Sequence, residues 1–279
     1  MKKDRYQTGL TDAEKEKPYA EYFYRPPARI ADDVMQALRL MDPQDTLPFE
    51  RKNDLLAPGY HKCETGYCWM PDGSCYVAVL TRMPGVTGDM LDWWFWWHAL
   101  EDLRYKIWFP GAHVAISAKD PGQLRNTALS ARERYWNNPH YPVEDIGIGM
   151  EKLSITFMPP EDVGFDIASF AEAGIATAIC TRVGSVTKHS LHTDMCHVVR
   201  TTADGVEMRS RFWIGRNLRF TPLSERSPIQ RLINTKFFRK IVIPADTPAQ
   251  MAHHCAQEYS NLAAILPELY RNYGGVESK

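Results

Sequence analysis

The 279-residue sequence has no apolar run approaching the ~20 residues that a membrane-spanning helix needs. It also has almost no net charge: 33 Lys and Arg against 34 Asp and Glu leave −1 at pH 7. No overall field therefore draws it to nucleic acid or to an anionic membrane. The N-terminal stretch MKKDRYQTGLTDAEKEKPYAEYF is charged and lacks the apolar core of a secretory signal, so a cytoplasmic protein is expected. Cysteine is sparse. The six residues at 63, 68, 75, 180, 196 and 255 fit no common zinc-knuckle spacing, and reduced buried thiols are the expectation. Internal repeats and low-complexity linkers are missing too. What is present is the composition of a soluble globular protein, 44% apolar and 24% charged. The length suits one large domain, or a main domain with a small companion.

The first sixty residues are polar and broken by proline, with one helix expected over 28–41. This part is too thin to bury a core alone, so residues 1–62 are read as a small segment that packs on the main domain or on a second subunit. Residues 63–279 are read as the main domain. There YCWMPDGSCYVAVLTRMPG predicts two strands around the turn Pro71-Asp72-Gly73. TGDMLDWWFWWHALEDLRYKIW predicts an aromatic helix capped by Thr87 or Asp89, with DWWFWW forming the wall of a cavity. HVAISA is a short strand, and DPGQLRNTALSARERYWNNPHYP an exposed, partly helical connection. EDIGIGMEKLSITFMPP, IATAICTRVG and DMCHVVRTTADGVEMRSRFWIG alternate as strands, the last folding at Ala203-Asp204-Gly205, and RKIVIP extends the strand-rich series. A long helix follows, with Asp246 as a capping residue and Pro248 in its first turn. The fold class is α+β: a curved antiparallel sheet gripping a C-terminal helix, with a cavity between them.

That helix carries the chemical signal. Met251, Cys255, Leu262, Ile265, Leu266 and Leu269 recur at spacings of three and four, and His254 and Glu258 lie on the same stripe. His253 points about 100° away from it. A buried carboxylate is costly unless it is paired or metal-bound. A His and a Glu four residues apart share a helix face and suit two ligands on one ion. Further ligands must come from the sheet side, where His98, His113, His140, His189, His192, His197, Glu133 and Glu144 are available. His113 opens an alternating segment after Phe109-Pro110-Gly111-Ala112, and Glu144 starts a strand between apolar and glycine positions. His98 ends the aromatic run and reads as a core histidine bonded to a backbone carbonyl. Glu133 sits in a surface-like context. His113, Glu144, His254 and Glu258 therefore rank first, with His98 and Glu133 as alternatives to His113 and Glu144. Two His and two carboxylates suit Zn²⁺, with Mn²⁺ or Fe²⁺ as alternatives.

Three neighbours complete the reading. Tyr105, eight residues before His113, can hydrogen-bond a phenol or carbonyl and take a catalytic and substrate-binding part. His197 alternates with Met195 and Val199 and can serve as general acid or base, or else as a satisfied core histidine. Trp213 can stack on an aromatic ligand, or simply pack.

The segments ETGYCWMPDG, MPGVTGDMLDWWFWWH, LRYKIWFPGAH, VEDIG, EMRSRFWIG and HHCAQEY, spread over residues 60–260, resemble the 2,4-diacetylphloroglucinol hydrolases, with phloretin hydrolase as a relative. The resemblance implies a Bet v 1-like helix-grip domain and a small N-terminal segment involved in forming a homodimer. It implies zinc held by two His and two Glu, and hydrolysis of the carbon–carbon bond joining an acyl group to a phenolic ring. The ligands it implies fall on His113, Glu144, His254 and Glu258, and a substrate-contacting tyrosine falls on Tyr105. An asparagine and a second tyrosine of the family's site fall on Ile116 and Trp213, so the acyl-phenol taken here is expected to differ. The competing reading is a carrier of a hydrophobic aromatic or lipid ligand, with a structural metal.

Overall fold

Residues 8–224 and 227–275 are described by the computed structural model; positions 1–7 and 276–279, at the outer ends of the two expected segments, lie outside the described residues. Pro71-Asp72-Gly73 reverses Gly66–Trp69 (β1) onto Cys75–Pro84 (β2). Gly73 sits at φ +82°, a conformation that costs little only without a Cβ. The other strands are His113–Ala115 (β3), Val143–Glu144 (β4), Glu151–Met158 (β5), Ile175–Ser185 (β6), Ser190–Thr201 (β7) and Gly205–Phe220 (β8). They form one antiparallel sheet in the order β1-β2-β8-β7-β6-β5-β4-β3.

Alternation along these strands divides the core in two. Val77, Val79, Ile179, Val199 and Phe212 face inward and join the main cluster. Tyr76, Ala78, Cys180, Cys196, Val198 and Trp213 face outward, covered by Leu47, Leu55 and Phe165. The inner face is closed by the C-terminal helix Thr247–Tyr273. Its Cys255, Leu262, Leu266 and Leu269 are fully buried, and each such leucine contributes about 1.5–3 kcal/mol. The expected sheet gripping a helix is thus the observed architecture.

Local details differ from the sequence expectation. Pro248 occupies the first turn, but the Asp246 side chain makes no capping bond. The helix expected over 28–41 is only Asp32–Ala37, because the chain then runs alongside β1, with Leu40 bridged to Tyr67. RKIVIP is not a strand: Lys236–Val242 is a helix, started by the Thr235 side chain accepting from the Phe238 N–H. The aromatic helix is Gly88–Trp97, capped by Thr87 and not Asp89. Its first residue lies so close to β6 that a Cβ on Gly88 would meet that of Ala176 at 2.9 Å.

Within residues 8–62, Leu10, Tyr19, Tyr22 and Leu38 belong to the main cluster. Ion pairs also tie this segment down, among them Lys106 to Glu14 at 2.8 Å and Arg25 to Glu268 at 2.6 Å.

Candidate metal centre

Two local rules bring four donors together. In the short β3–β4 ladder His113 is the direct cross-strand partner of Glu144, so their side chains emerge side by side. On the C-terminal helix His254 and Glu258 lie one turn apart on the buried face, while His253 is exposed. The two halves are clamped. The Trp108 indole donates to the Glu258 carbonyl at 3.0 Å, and the Asn261 amide donates to the Trp108 carbonyl at 2.8 Å.

The Nε2 atoms of His113 and His254 are 3.4 Å apart. The His113 nitrogen lies 3.7 Å from a Glu144 oxygen and 3.6 Å from a Glu258 oxygen, and His254 lies 3.8 Å from the latter. Among the described residues, ligand atoms of His113, Glu144 and His254 all fall within 4.8 Å of one another, a grouping able to hold a metal ion. A tetrahedral ion with ligands at about 2.0–2.2 Å separates its donors by about 3.3–3.6 Å, so the His113–His254 and His113–Glu258 spacings fit and the other two are slightly wider. The tautomer fits as well. His113 Nδ1–H donates to the Tyr105 carbonyl at 3.2 Å, leaving the Nε2 lone pair toward the other donors.

Burial shapes the charge of this cluster. It pushes His254 down to about 4 and His113 well below the usual imidazole range, keeping both rings neutral. It lifts Glu144 to about 7 and Glu258 well above the usual carboxylate range, the latter helped by the Glu144 charge. Two neutral imidazoles and two carboxyls that would ionise beside a cation form a donor set suited to a divalent ion.

Tyr105 belongs to the same cluster. Its hydroxyl donates to Glu144, and its ring stacks on His113 at 4.0 Å with 1° between planes. Burial, then the neighbouring Glu144, raises this phenol well above its ordinary pKa. Glu144, His254 and Glu258 border an otherwise largely apolar cavity between sheet and helix, together with Phe95, Ile116 and Phe212.

The remaining expected site residues separate. His197 does reach the cavity, but both ring nitrogens are engaged, Nδ1 with Ser210 Oγ at 2.7 Å and Nε2 with the Tyr259 hydroxyl at 3.0 Å. Burial lowers it to about 3, so it is neutral. Trp213 is a correction. It lies on the outer sheet face, donates to the Leu47 carbonyl at 2.7 Å and packs edge-on against Phe49, whereas its neighbours Phe212 and Ile214 line the cavity. The DWWFWW run is also not the cavity wall. Phe95 contributes to that wall, while Trp93 stacks on Trp97 at 4.7 Å within the core. His98 bonds the Trp94 carbonyl at 2.7 Å, and Glu133 is spent in a capping box with Ser130. Neither joins the donor cluster. Tyr259, which the sequence reading passed over, follows Cys255 by four residues on the buried stripe, and that spacing was the available signal.

Residues 47–271 match a family model described as the DAPG hydrolase PhiG domain. Phloretin hydrolase from Eubacterium ramulus is 33% identical over 267 residues, covering 94% of this chain and 92% of that protein. The 2,4-diacetylphloroglucinol hydrolase of Pseudomonas protegens is 30% identical over 267 residues, covering 94% and 86%. Among solved structures, norcoclaurine synthase from Thalictrum flavum, in complex with dopamine and hydroxybenzaldehyde, aligns with TM-score 0.33 and 10% identity over 72% of this chain and 90% of that one. That likeness is faint, and the helix-grip description rests on the sheet order and the closing helix.

Proposed function

This chain belongs to the DAPG hydrolase family, and from that premise we propose that it is a zinc-dependent hydrolase of acylphloroglucinol-type aryl ketones. The observation that carries the proposal is the gathering of His113, Glu144 and His254 ligand atoms within 4.8 Å of one another beside an aromatic-walled cavity, with a Glu258 oxygen 3.6 Å from His113 and 3.8 Å from His254. The reaction is addition of water across the bond between acyl carbon and ring carbon. The acyl carbon gains the hydroxyl and becomes a carboxylic acid. The ring carbon keeps the bonding electron pair, takes a proton and becomes the C–H of the phenol. Ring hydroxyls ortho and para to the acyl group make that carbon basic enough to protonate, which an unsubstituted ring does not.

His113, Glu144, His254 and Glu258 would hold the zinc, which supplies Lewis-acid polarisation of an oxygen and activation of water. Tyr105 orients a substrate oxygen and carries a proton, its hydroxyl already held at the cluster through Glu144. His197 acts through the Tyr259 hydroxyl, keeping that phenol oriented toward the cavity. The apolar walls stack the ring and exclude bulk water. The segment 1–62 is proposed to contribute to a homodimer of a cytoplasmic enzyme; exposed Tyr24, Met35 and Leu40 support such a contact, and a monomeric mass by light scattering would oppose it. Among the described residues no helix is long and apolar enough to cross a membrane.

Incubation with mono- and diacetylphloroglucinol, phloretin and acetophenone tests the reading. Acid should appear from the hydroxylated ketones in proportion to bound zinc, and none from acetophenone. Binding of those ketones without consumption, in the zinc-loaded protein, would favour the carrier.

The raised carboxyls give a pH dependence. Without metal, Glu144 holds its proton up to about pH 7, and Glu258 is shifted the same way. Zinc must displace those protons, so affinity should weaken as pH falls below 7. Calorimetry in buffers of different ionisation enthalpy should find at least one proton released per zinc at pH 6 and fewer at pH 9. Release of none at pH 6 would contradict it. The stability of the metal-free protein runs the other way. A folded carboxyl at about 7, against 4.5 unfolded, stabilises fully below 4.5, and that contribution is lost as pH rises through 7.

A further inference from the structure

The histidines bordering the cavity are not alike. His98 bonds the Trp94 carbonyl, His192 pairs with Thr193 Oγ1 at 2.9 Å, His197 uses both nitrogens, and His254 belongs to the donor cluster. His140 is the exception. It is 1% exposed, it borders the cavity, and among the described residues neither ring nitrogen has a partner. Its backbone is fixed, since the His140 N–H donates to the Ile155 carbonyl at 2.9 Å and the His140 carbonyl accepts from the Ile155 N–H at 2.8 Å. The chain therefore cannot carry the ring out to water. A buried imidazole left in this state is rare unless something else completes it.

Its place along the wall indicates what that is. From the donor cluster outward, ring contacts run from His113 to Tyr105 at 4.0 Å, from Tyr105 to His98 at 5.8 Å and from His98 to His140 at 6.1 Å. His140 thus borders the cavity three ring contacts away from His113, beside Phe157 at 4.8 Å. Burial keeps the ring neutral, with one N–H donor and one bare acceptor nitrogen. A phenolic hydroxyl, which both donates and accepts, matches it. With the acyl group held at the donor cluster, the substrate atom that reaches this end is the ring hydroxyl para to the acyl group.

We propose that His140 is a specificity-determining residue that hydrogen-bonds the para hydroxyl of the acylphenol. The proposal rests on the hydrolase reading for the orientation of the substrate. The test compares 2,4,6-trihydroxyacetophenone with 2,6-dihydroxyacetophenone, which lacks only that hydroxyl. Binding is read by stopped-flow quenching of tryptophan emission before turnover, and acid release is assayed separately. The zinc-loaded wild-type protein should bind the trihydroxy compound about 10- to 100-fold more tightly, as expected for one buried hydrogen bond. His140→Phe, or His140→Leu if the larger ring prevents folding, should bind both compounds equally, with zinc content unchanged. His140→Gln should restore part of the preference. A wild-type protein that binds both alike, or a variant that keeps the wild-type ratio or weakens both compounds by the same factor, would overturn the assignment. Because the ratio is read before turnover, absence of acid from either ketone would count against the hydrolase reading and leave the ratio to decide on His140.

Discussion

His254→Ala and Glu258→Ala should each strip most of the zinc and lower acid release by about 10³-fold or more, since Lewis-acid assistance worth several kcal/mol goes with the metal. Their side chains come from one helix turn and face His113 at 3.4 Å and 3.6 Å. Removing either would leave two of the proposed ligands on the sheet side and one on the helix. His113→Ala should do the same, and it should also leave the Tyr105 ring without its stacking partner. His98→Ala is the control. His98 is as deeply buried, but it bonds a backbone carbonyl and touches aromatic rings, so its loss should cost an ordinary 1–3 kcal/mol or so of stability and leave zinc in place. Metal analysis of the four purified variants decides the matter. Full zinc in His254→Ala or Glu258→Ala would remove the helix pair from the site, and loss of zinc in His98→Ala alone would transfer the ligand role to it.

Tyr105→Phe should lower turnover by about 10²–10⁴-fold if its proton is transferred, and by less if it only positions the ring. The hydroxyl is the single polar group of this side chain, and it donates to Glu144. Phenylalanine keeps the stack on His113 while removing that hydrogen bond, so the fold and the Nε2 orientation of His113 should survive. The Tyr105 hydrogen bond also helps hold the Glu144 pKa down against burial, so the comparison belongs near pH 8, where Glu144 remains ionisable in both proteins. Equal zinc content with sharply lower kcat is the expected pattern. Unchanged kcat would remove Tyr105 from the chemistry, and a matching loss of zinc would recast it as support for Glu144.

How much of this was legible in the sequence follows from how local each signal is. The helix pair could be read directly, because a 3.6-residue period places His254 and Glu258 among Cys255, Leu262 and Leu266 without reference to anything else. His113 and Glu144 were legible only as candidates. Their adjacency depends on a ladder across 31 positions of chain that no local pattern specifies. Trp213 went wrong for a reason inside a local rule. The tight turn pairs Thr201 with Val206 and His197 with Ser210, so once His197 faces inward, Ser210, Phe212 and Ile214 must too, and Trp213 must face out. A shift of one residue in strand parity is enough to move a side chain from the cavity to the opposite core. RKIVIP failed because β-branched residues raise strand propensity only weakly, while Thr235 starts a helix that the surrounding chain accepts. His140 stood among the candidate ligands, but its lack of any partner is a property of packing and not of sequence.

The most direct test of the central claim is turnover of monoacetylphloroglucinol, 2,4-diacetylphloroglucinol and phloretin by the zinc-loaded protein in ¹⁸O-enriched water, with acid and phenol both measured by mass spectrometry. The account predicts, from at least one of them, equimolar carboxylic acid and deacylated phenol, one solvent oxygen in the acid and none newly placed in the phenol, with the reaction abolished by chelation and restored by zinc. All three ketones recovered intact from a folded, zinc-loaded protein, or products formed at the same rate after the metal is removed, would contradict it.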